Sequence, residues 1–211
     1  MRPPWLIAVR MCSSCCAVLR NIRIRLLQRN LLWLGAWFCL LLESCCTTPL
    51  PPIPNLHTVD ADKVILRGGQ PTAQGWTNIW LAGVRSVVKL NTDAEGSDNL
   101  AERMGMKVYR FPISVGEQLE GGPKVSTVAK AVAIMQVGHC YVHCGSDSRT
   151  RSRIDAVLKS AGGNDRTGLV CGVYRVWSDH WTEATAYVEM KQYGFHPILK
   201  GLYDWWNKNV E

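Results

Sequence analysis

Two short segments of the chain carry residue types that suit nucleophilic chemistry on a phosphate group. The apolar, β-prone segment 139–143 leads into Cys144, and the segment 163–168 places Arg166 ahead of an apolar helix. A cysteine thiolate is a strong nucleophile, and a guanidinium can bind two oxyanion oxygens at once. A helix N-terminus adds N–H donors and a favourable dipole. The two segments therefore predict a thiolate beside an anion cradle, although 21 residues separate Cys144 from Arg166.

The rest of the chain predicts the elements that must position these residues. Short apolar strands alternate with helices, which indicates an α/β layer fold. We expect strands at 64–67, 84–91, 107–111 and 139–143, and helices at 73–83, 94–104, 124–136, 167–178, 182–193 and 198–208. The nearly all-apolar strand 139–143 is typical of the centre of a sheet. The expected architecture has three layers, with a mostly parallel sheet of about four to five strands between helices.

The order of these motifs resembles the protein-tyrosine and dual-specificity phosphatase superfamily, in particular its small bacterial and atypical dual-specificity branch. The family loop reads His-Cys-x-x-Gly-x-Asp-Arg-Thr-Gly. The matching parts of this chain are Val142-His143-Cys144, Asp165-Arg166-Thr167-Gly168 with the preceding Gly163, the turn Arg67–Thr72 and the strand Val87–Asn91. The resemblance extends over about residues 60–208. It implies the phosphatase fold and hydrolysis of phosphate monoesters through a phosphocysteine intermediate.

The resemblance also implies a role for each matched residue. Cys144 would be the nucleophile, and Arg166 would clamp the phosphate. Thr167 would assist the leaving thiolate, and His143 would help to hold the thiolate through a hydrogen-bond network. The substrate-binding loop would contain Gly163, Asn164, Arg166 and Gly168. A buried cysteine and a satisfied strand histidine are the structural alternative for Cys144 and His143.

The sequence does not decide which residue acts as the general acid. In the family it is usually an aspartate on the loop after the third strand, but in residues 111–122 the only acids are Glu117 and Glu120. Asp165 ranks first, because some relatives with Asp-Arg-Thr are thought to use that aspartate, and Glu117 and Glu120 follow in that order. A solvated loop charge is the alternative for the glutamates, and a brace for Arg166 is the alternative for Asp165.

Relative to the family spacing, a 16-residue insertion at 145–160 interrupts the phosphate-binding loop. The insertion is polar and basic and is compatible with one short helix. Cys144 and Arg149 are separated by four residues, one fewer than in the family loop, so this pair is a weak second candidate for the loop. The arginines at 149, 151 and 153 are more typical of a solvated basic face. The insertion could bulge outward and leave an active phosphatase, or disrupt the loop and leave an inactive phosphate-binding lipoprotein. A gene-model artefact is the third interpretation.

The N-terminal segment 1–46 is typical of an export leader. It holds six arginines and one acid, and its charge-free apolar run 31–42 is too short to span a membrane but suits a signal-peptide core. The following Leu42-Glu43-Ser44-Cys45 resembles a bacterial lipoprotein box, which makes Cys45 the candidate lipidation site. An ordinary cleaved signal or short anchor, and a segment unrelated to export, are the alternatives. Segment 47–56, with four prolines, predicts an extended tether to a phosphatase-like domain at 57–211.

Composition narrows the expected partners. Outside the leader the chain has 18 basic and 16 acidic side chains, so we expect no nucleic-acid surface. Three cysteines remain there, too few for a disulfide framework. The chemistry requires no metal and no other cofactor. We expect a phosphorylated protein or a small phosphorylated molecule as substrate, a membrane contact through the lipid or leader, and an exported location on the periplasmic side of a bacterial membrane.

We predict that Cys45→Ala abolishes lipid attachment, because the lipoprotein-box interpretation places the lipid on the thiol of that cysteine. Metabolic labelling of the expressing bacteria with a fatty-acid probe measures this directly, and Cys46→Ala is the matched control. Labelling that survives Cys45→Ala would refute the assignment.

Overall fold

A computed structural model describes residues 53–145 and 162–210, within a compact unit from Leu50 to Glu211. The strands of this part are β1 (His57–Asp60), β2 (Ile65–Gly68), β3 (Ser86–Lys89), β4 (Lys107–Arg110) and β5 (Cys140–His143). Its helices are α1 (Ala73–Leu81), α2 (Asn99–Arg103), α3 (Val115–Leu119), α4 (Val125–Val137), α5 (Asp165–Trp177), α6 (Glu183–Gln192) and α7 (Lys200–Asn209). The leader 1–46 with Cys45, and positions 146–160 of the predicted insertion, lie outside the described residues.

The strands form one sheet in the order β1-β2-β5-β3-β4. β1 runs antiparallel to β2, and the other neighbours are parallel. All four residues of β5 are buried, and its last residue, His143, is in register with Gly68 of β2 and Lys89 of β3. The predicted α/β fold with a mostly parallel central sheet is confirmed. Cys144 therefore leaves the sheet at its centre, at the carboxyl edge.

Side chains alternate between the two faces of the sheet and build two buried clusters. On one face, Val88 and Val142 pack with residues of α4, α5, α6 and α7. On the other face, Val87 and Tyr141 pack with residues of α1 and α2, including Trp76. Period-two alternation in the central strands thus produces the expected three layers. Among the described residues, no helix combines the length and apolar character needed to cross a membrane.

Three elements differ from the sequence expectation. The helix predicted at 94–104 begins only at Asn99, so Glu95 lies in the loop before α2. β1 was not expected, because His57–Asp60 is a short, half-exposed edge strand with little apolar signal. α3 lies inside the predicted loop 114–122, where Ser114 and Glu117 form a capping box, a pattern that is readable from the sequence. Contacts with the domain also begin inside the predicted tether, since Ile53 is buried in the second cluster.

Candidate active site

The predicted phosphate-binding loop, called the cradle below, has a first half at 144–145 and a second half at 162–168. The two halves lie side by side at the carboxyl end of β5. The N–H of Gly163 donates to the carbonyl oxygen of Cys144 at 3.1 Å. A Cβ added to Gly145 would lie 2.8 Å from the Cα of Gly162, so these two backbones are in contact. The two described residues that flank positions 146–161, Gly145 and Gly162, therefore lie next to each other.

Counted across this contact, the loop has the family spacing. Five residues lie between Cys144 and Arg166: Gly145, Gly162, Gly163, Asn164 and Asp165. The two halves of the loop meet between Gly145 and Gly162. This meeting point is one residue later in the chain than the predicted insertion at 145–160 implied. The geometry brings together the residues on both sides of the predicted insertion.

Gly163 requires a close approach that only glycine allows. Its φ is +78°, and a Cβ at this position would overlap the backbone of Gly68 and Gly69. The second half of the loop therefore rests directly on the turn after β2, whose glycines present no side chains. The buried Arg67, just before this turn, donates from Nη2 to the carbonyl oxygen of Gly163 at 2.9 Å.

α5 supplies the helix N-terminus that the sequence predicted. The helix begins at Asp165, and the N–H of Gly168 donates to Asn164 at 2.9 Å as the first bond of the helix. The N–H groups before Gly168 accordingly lie at the positive end of the helix. Residues 165–175 are buried, so this terminus is fixed in the core.

Arg166 is 2% exposed and is held by Glu95 in a bidentate ion pair. The distances are 3.0 Å from Nη1 to Oε2 and 2.7 Å from Nη2 to Oε1, and Nη1 also donates to the carbonyl oxygen of Ile113. Burial alone would raise the pKa of Glu95, but the hydrogen bonds and charge of Arg166 hold it below its ordinary value. An ionised Glu95 thus fixes the plane of the guanidinium.

His143 is buried behind Cys144 and pairs with Asp98. The distance from His143 Nε2 to Asp98 Oδ2 is 2.9 Å, and Gln70 donates to Oδ1 of Asp98 at 2.9 Å. Burial alone would raise the pKa of Asp98, but His143, Gln70 and Lys89 together hold it below its ordinary value. Within the described part of the chain the ring of His143 bonds to Asp98 and not to Cys144, so its role at the thiolate stays a prediction.

Cys144 differs from the other two cysteines of this region by its place at the cradle. Burial raises the pKa of Cys140 to about 12 and that of Cys171 to about 11, which keeps both as unreactive thiols. Cys144 is 3% exposed, and its carbonyl bonds to Gly163 of the second half of the loop. Thr167 Oγ1 is buried without a hydrogen-bond partner among the described residues.

The three candidate general acids occupy different environments. Asp165 is buried at the start of α5, and its Oδ1 accepts from the backbone N–H of His196 at 2.7 Å and lies 3.0 Å from His196 Nδ1. Glu117 accepts from the N–H of Ser114 and caps α3. Glu120 is exposed at the end of α3. Of the three, Asp165 alone belongs to the cradle.

Sequence reasoning missed several residues that hold the site in place: Asn55, Arg67, Glu95, Asp98 and His196. Arg67 belongs to a motif that the sequence did single out, but its contact with Gly163 was not expected. Within residues 53–145 and 162–210, no group of three His, Cys, Asp or Glu residues is placed to hold a metal ion.

Solved structures share this fold. TpbA of P. aeruginosa is 20% identical, with 76% of this chain and 92% of that chain covered at a TM-score of 0.51. Tk-PTP in its active form is 16% identical, with 74% and 99% covered at 0.54. The core catalytic domain of the PP-IP phosphatase SIW14 of S. cerevisiae, in complex with citrate, is 18% identical, with 72% and 86% covered at 0.52.

These three proteins belong to the protein-tyrosine and dual-specificity phosphatase superfamily. At such identities the likeness shows the fold, and it confirms the phosphatase fold that the sequence motifs implied. No protein-family model matches the chain, and no curated protein sequence matches it.

We expect Asp98→Asn to lower the free energy of unfolding at neutral pH by about 3 kcal/mol, because one partner of a buried pair is removed. An amide in this position would turn an N–H toward one of the two donors, His143 or Gln70. The pKa of Asp98 lies below its ordinary 3.8, so its stabilising effect is present at neutral pH and is lost as the pH falls below about 4.

Urea denaturation across this pH range measures the effect, and the variant should show a flatter dependence on pH below that value. Asp93→Asn is the matched control, because Asp93 also pairs with Lys89 but its side chain is 76% exposed. Equal losses in the two variants would contradict the buried pair as the source of the stability.

Proposed function

We propose that this chain is a cysteine-dependent phosphatase that hydrolyses phosphate monoesters. One observation carries the proposal: Cys144 and Arg166 lie at the two ends of a loop that has the family spacing in space, although not along the chain. The shared fold with a PP-IP phosphatase supports the same class of reaction. A phosphorylated protein and a small phosphorylated molecule are both compatible substrates.

In the proposed first step, the thiolate of Cys144 attacks phosphorus in line with the leaving oxygen. A sulfur–phosphorus bond forms as the phosphorus–oxygen bond breaks, and a general acid gives its proton to the leaving oxygen. Arg166, with its plane fixed by Glu95, binds two of the equatorial oxygens, and the N–H groups at the start of α5 bind developing charge.

In the second step, water attacks the phosphorus of the phosphocysteine and gives a proton to the carboxylate that acted as the acid in the first step. The sulfur–phosphorus bond breaks, inorganic phosphate leaves, and the thiolate of Cys144 is regenerated. The buried hydroxyl of Thr167 has no partner among the described residues and can donate to the leaving sulfur. Arg67 adds a buried positive charge next to Gly163. Arg67 and the N-terminus of α5 together place positive electrostatic potential at the cradle, which favours a bound oxyanion.

Cys144→Ser should reduce turnover of an aryl phosphate by at least about 10³-fold, because a hydroxyl is a much weaker nucleophile than a thiolate. Vanadate-sensitive release of the phenol measures the reaction. Cys171→Ser is the matched control, since that buried thiol lies outside the cradle and should leave most of the activity intact.

Full activity of Cys144→Ser would overturn the proposed reaction. A chain that binds phosphate or vanadate through Arg166 but turns nothing over would instead be an inactive phosphate-binding protein. Loss of that binding in Arg166→Ala identifies this outcome.

We further propose that Asp165 is the general acid. It directly precedes Arg166 in the cradle, and His196 fixes the position of its carboxyl group. Glu117 is engaged as the cap of α3, and Glu120 is exposed beyond that helix, so neither is bound at the cradle within the described part of the chain.

Asp165→Asn should lower kcat/KM by about 10²-fold or more for phenyl phosphate, whose leaving oxygen needs a proton. The loss should be much smaller for a phosphate ester of an acidic, fluorinated phenol, which leaves without protonation. Glu117→Gln, measured on the same two substrates, is the control and should show no such difference. A leaving-group-dependent loss in Glu117→Gln, or an equal loss on both substrates in Asp165→Asn, would exclude Asp165 from this role.

A further inference from the structure

No peptide bond joins the two residues that meet at the centre of the cradle. Gly145 and Gly162 are in contact, but 16 residues separate them along the chain. In an uninterrupted loop a peptide bond would fix these neighbouring Cα atoms about 3.8 Å apart. The closure entropy of the intervening segment opposes the contact instead. Other groups must therefore hold the second half of the cradle against the first.

Asn55, which lies just before β1, contacts the second half of the cradle directly. Its Nδ2 lies 2.7 Å from Oδ1 of Asn164, 3.3 Å from the carbonyl oxygen of Gly163 and 3.1 Å from that of Tyr193. One side-chain amide thus joins the N-terminal segment of the domain to two consecutive residues of the cradle and to the end of α6.

His57 fixes the orientation of this amide. Its Nε2 lies 2.7 Å from Oδ1 of Asn55, and its ring stacks on Tyr193 with 4.1 Å between ring centroids. Because the oxygen of Asn55 accepts from His57, the two N–H bonds of the amide face the cradle and Tyr193. The amide is pre-oriented, so little conformational freedom is lost when it bonds to the loop.

The peptide group of Gly163 is consequently held from both sides. Its N–H donates to Cys144, in the first half of the cradle. Its carbonyl oxygen accepts from Arg67 and from Asn55. Arg67 also stacks on Tyr193 and is 1% exposed, so replacing it would disturb the core as well as the loop. Asn55 is only half-buried and can be replaced with less disturbance.

We propose that Asn55 is a positioning residue that keeps Gly163 and Asn164 in register with Cys144. It anchors the second half of the cradle to the N-terminal segment of the domain, so that the N–H of Gly163 stays placed to bond to Cys144. The inference deepens the proposed phosphatase function by naming what keeps its binding loop in shape. A displacement of about 1 Å in such a loop costs on the order of 100-fold in rate.

A double-mutant cycle tests the proposal in full-length protein. Asn55→Ala is made in the natural chain and in a shortened chain that lacks residues 146–161, where Gly145 is joined directly to Gly162. In the natural chain we expect tungstate affinity and kcat/KM to fall by about 100-fold, and in the shortened chain by only a few-fold. Asn78→Ala, which removes an exposed amide of α1, is the matched control and should change neither value.

Hydrogen exchange at the Gly163 amide provides a readout that does not require catalysis. This N–H bonds to Cys144 only when the two halves are together, so Asn55→Ala should speed its exchange by at least about tenfold in the natural chain. The shortened chain should retain most of its protection. Thermal unfolding midpoints should shift equally in the two backgrounds, which separates positioning from general stability.

Unchanged exchange at Gly163, or equal losses in both backgrounds, would overturn the proposal. If the natural chain shows no turnover, the proposed function fails, while the exchange result still decides the role of Asn55. If the shortened chain does not fold, exchange in Asn55→Ala against Asn78→Ala in the natural chain decides it alone.

Discussion

The contact of Gly163 with the Gly68–Gly69 turn is the constraint on which the rest of the site depends. No side chain fits between these backbones, so the second half of the cradle is positioned by the sheet itself. From this contact follow the bond from Gly163 to Cys144 and the start of α5 at Asp165. This contact sets where the second half of the cradle lies, and the bonds from Arg67 and Asn55 to Gly163 add to it.

Acidic side chains from other parts of the fold then fix the charged residues of the site. Glu95 holds Arg166, and Asp98 holds His143. Each of these acids is buried or half-buried and keeps a pKa below its ordinary value, because its partner outweighs the cost of burial. The guanidinium and the imidazole thus have fixed orientations before any substrate binds, which is the condition for electrostatic stabilisation of a transition state.

The sequence predicted the fold correctly, and its loop motifs contain residues that the structure brings side by side, for identifiable reasons. Two of its patterns are local: the apolar strand before Cys144 and the motif at 165–168. Both can be recognised from neighbouring residues alone, without knowledge of distant contacts. Asn55 and Glu95 were missed because the sequence placed them in a tether and in a helix, far along the chain from the groups they bind. Only the folded arrangement of the sheet reveals which loops meet at its carboxyl edge.

The carboxyl group of Asp165 is held by His196, which follows it by 31 residues. The cradle is also braced by Asn55, which precedes Gly163 by 108 residues. Contacts of such long sequence separation form slowly, because much chain entropy is lost before they contribute stability. During synthesis, the anion site therefore cannot be complete until α6 and the segment beyond it have emerged and packed. The binding loop is therefore completed only after most of the domain has been synthesised.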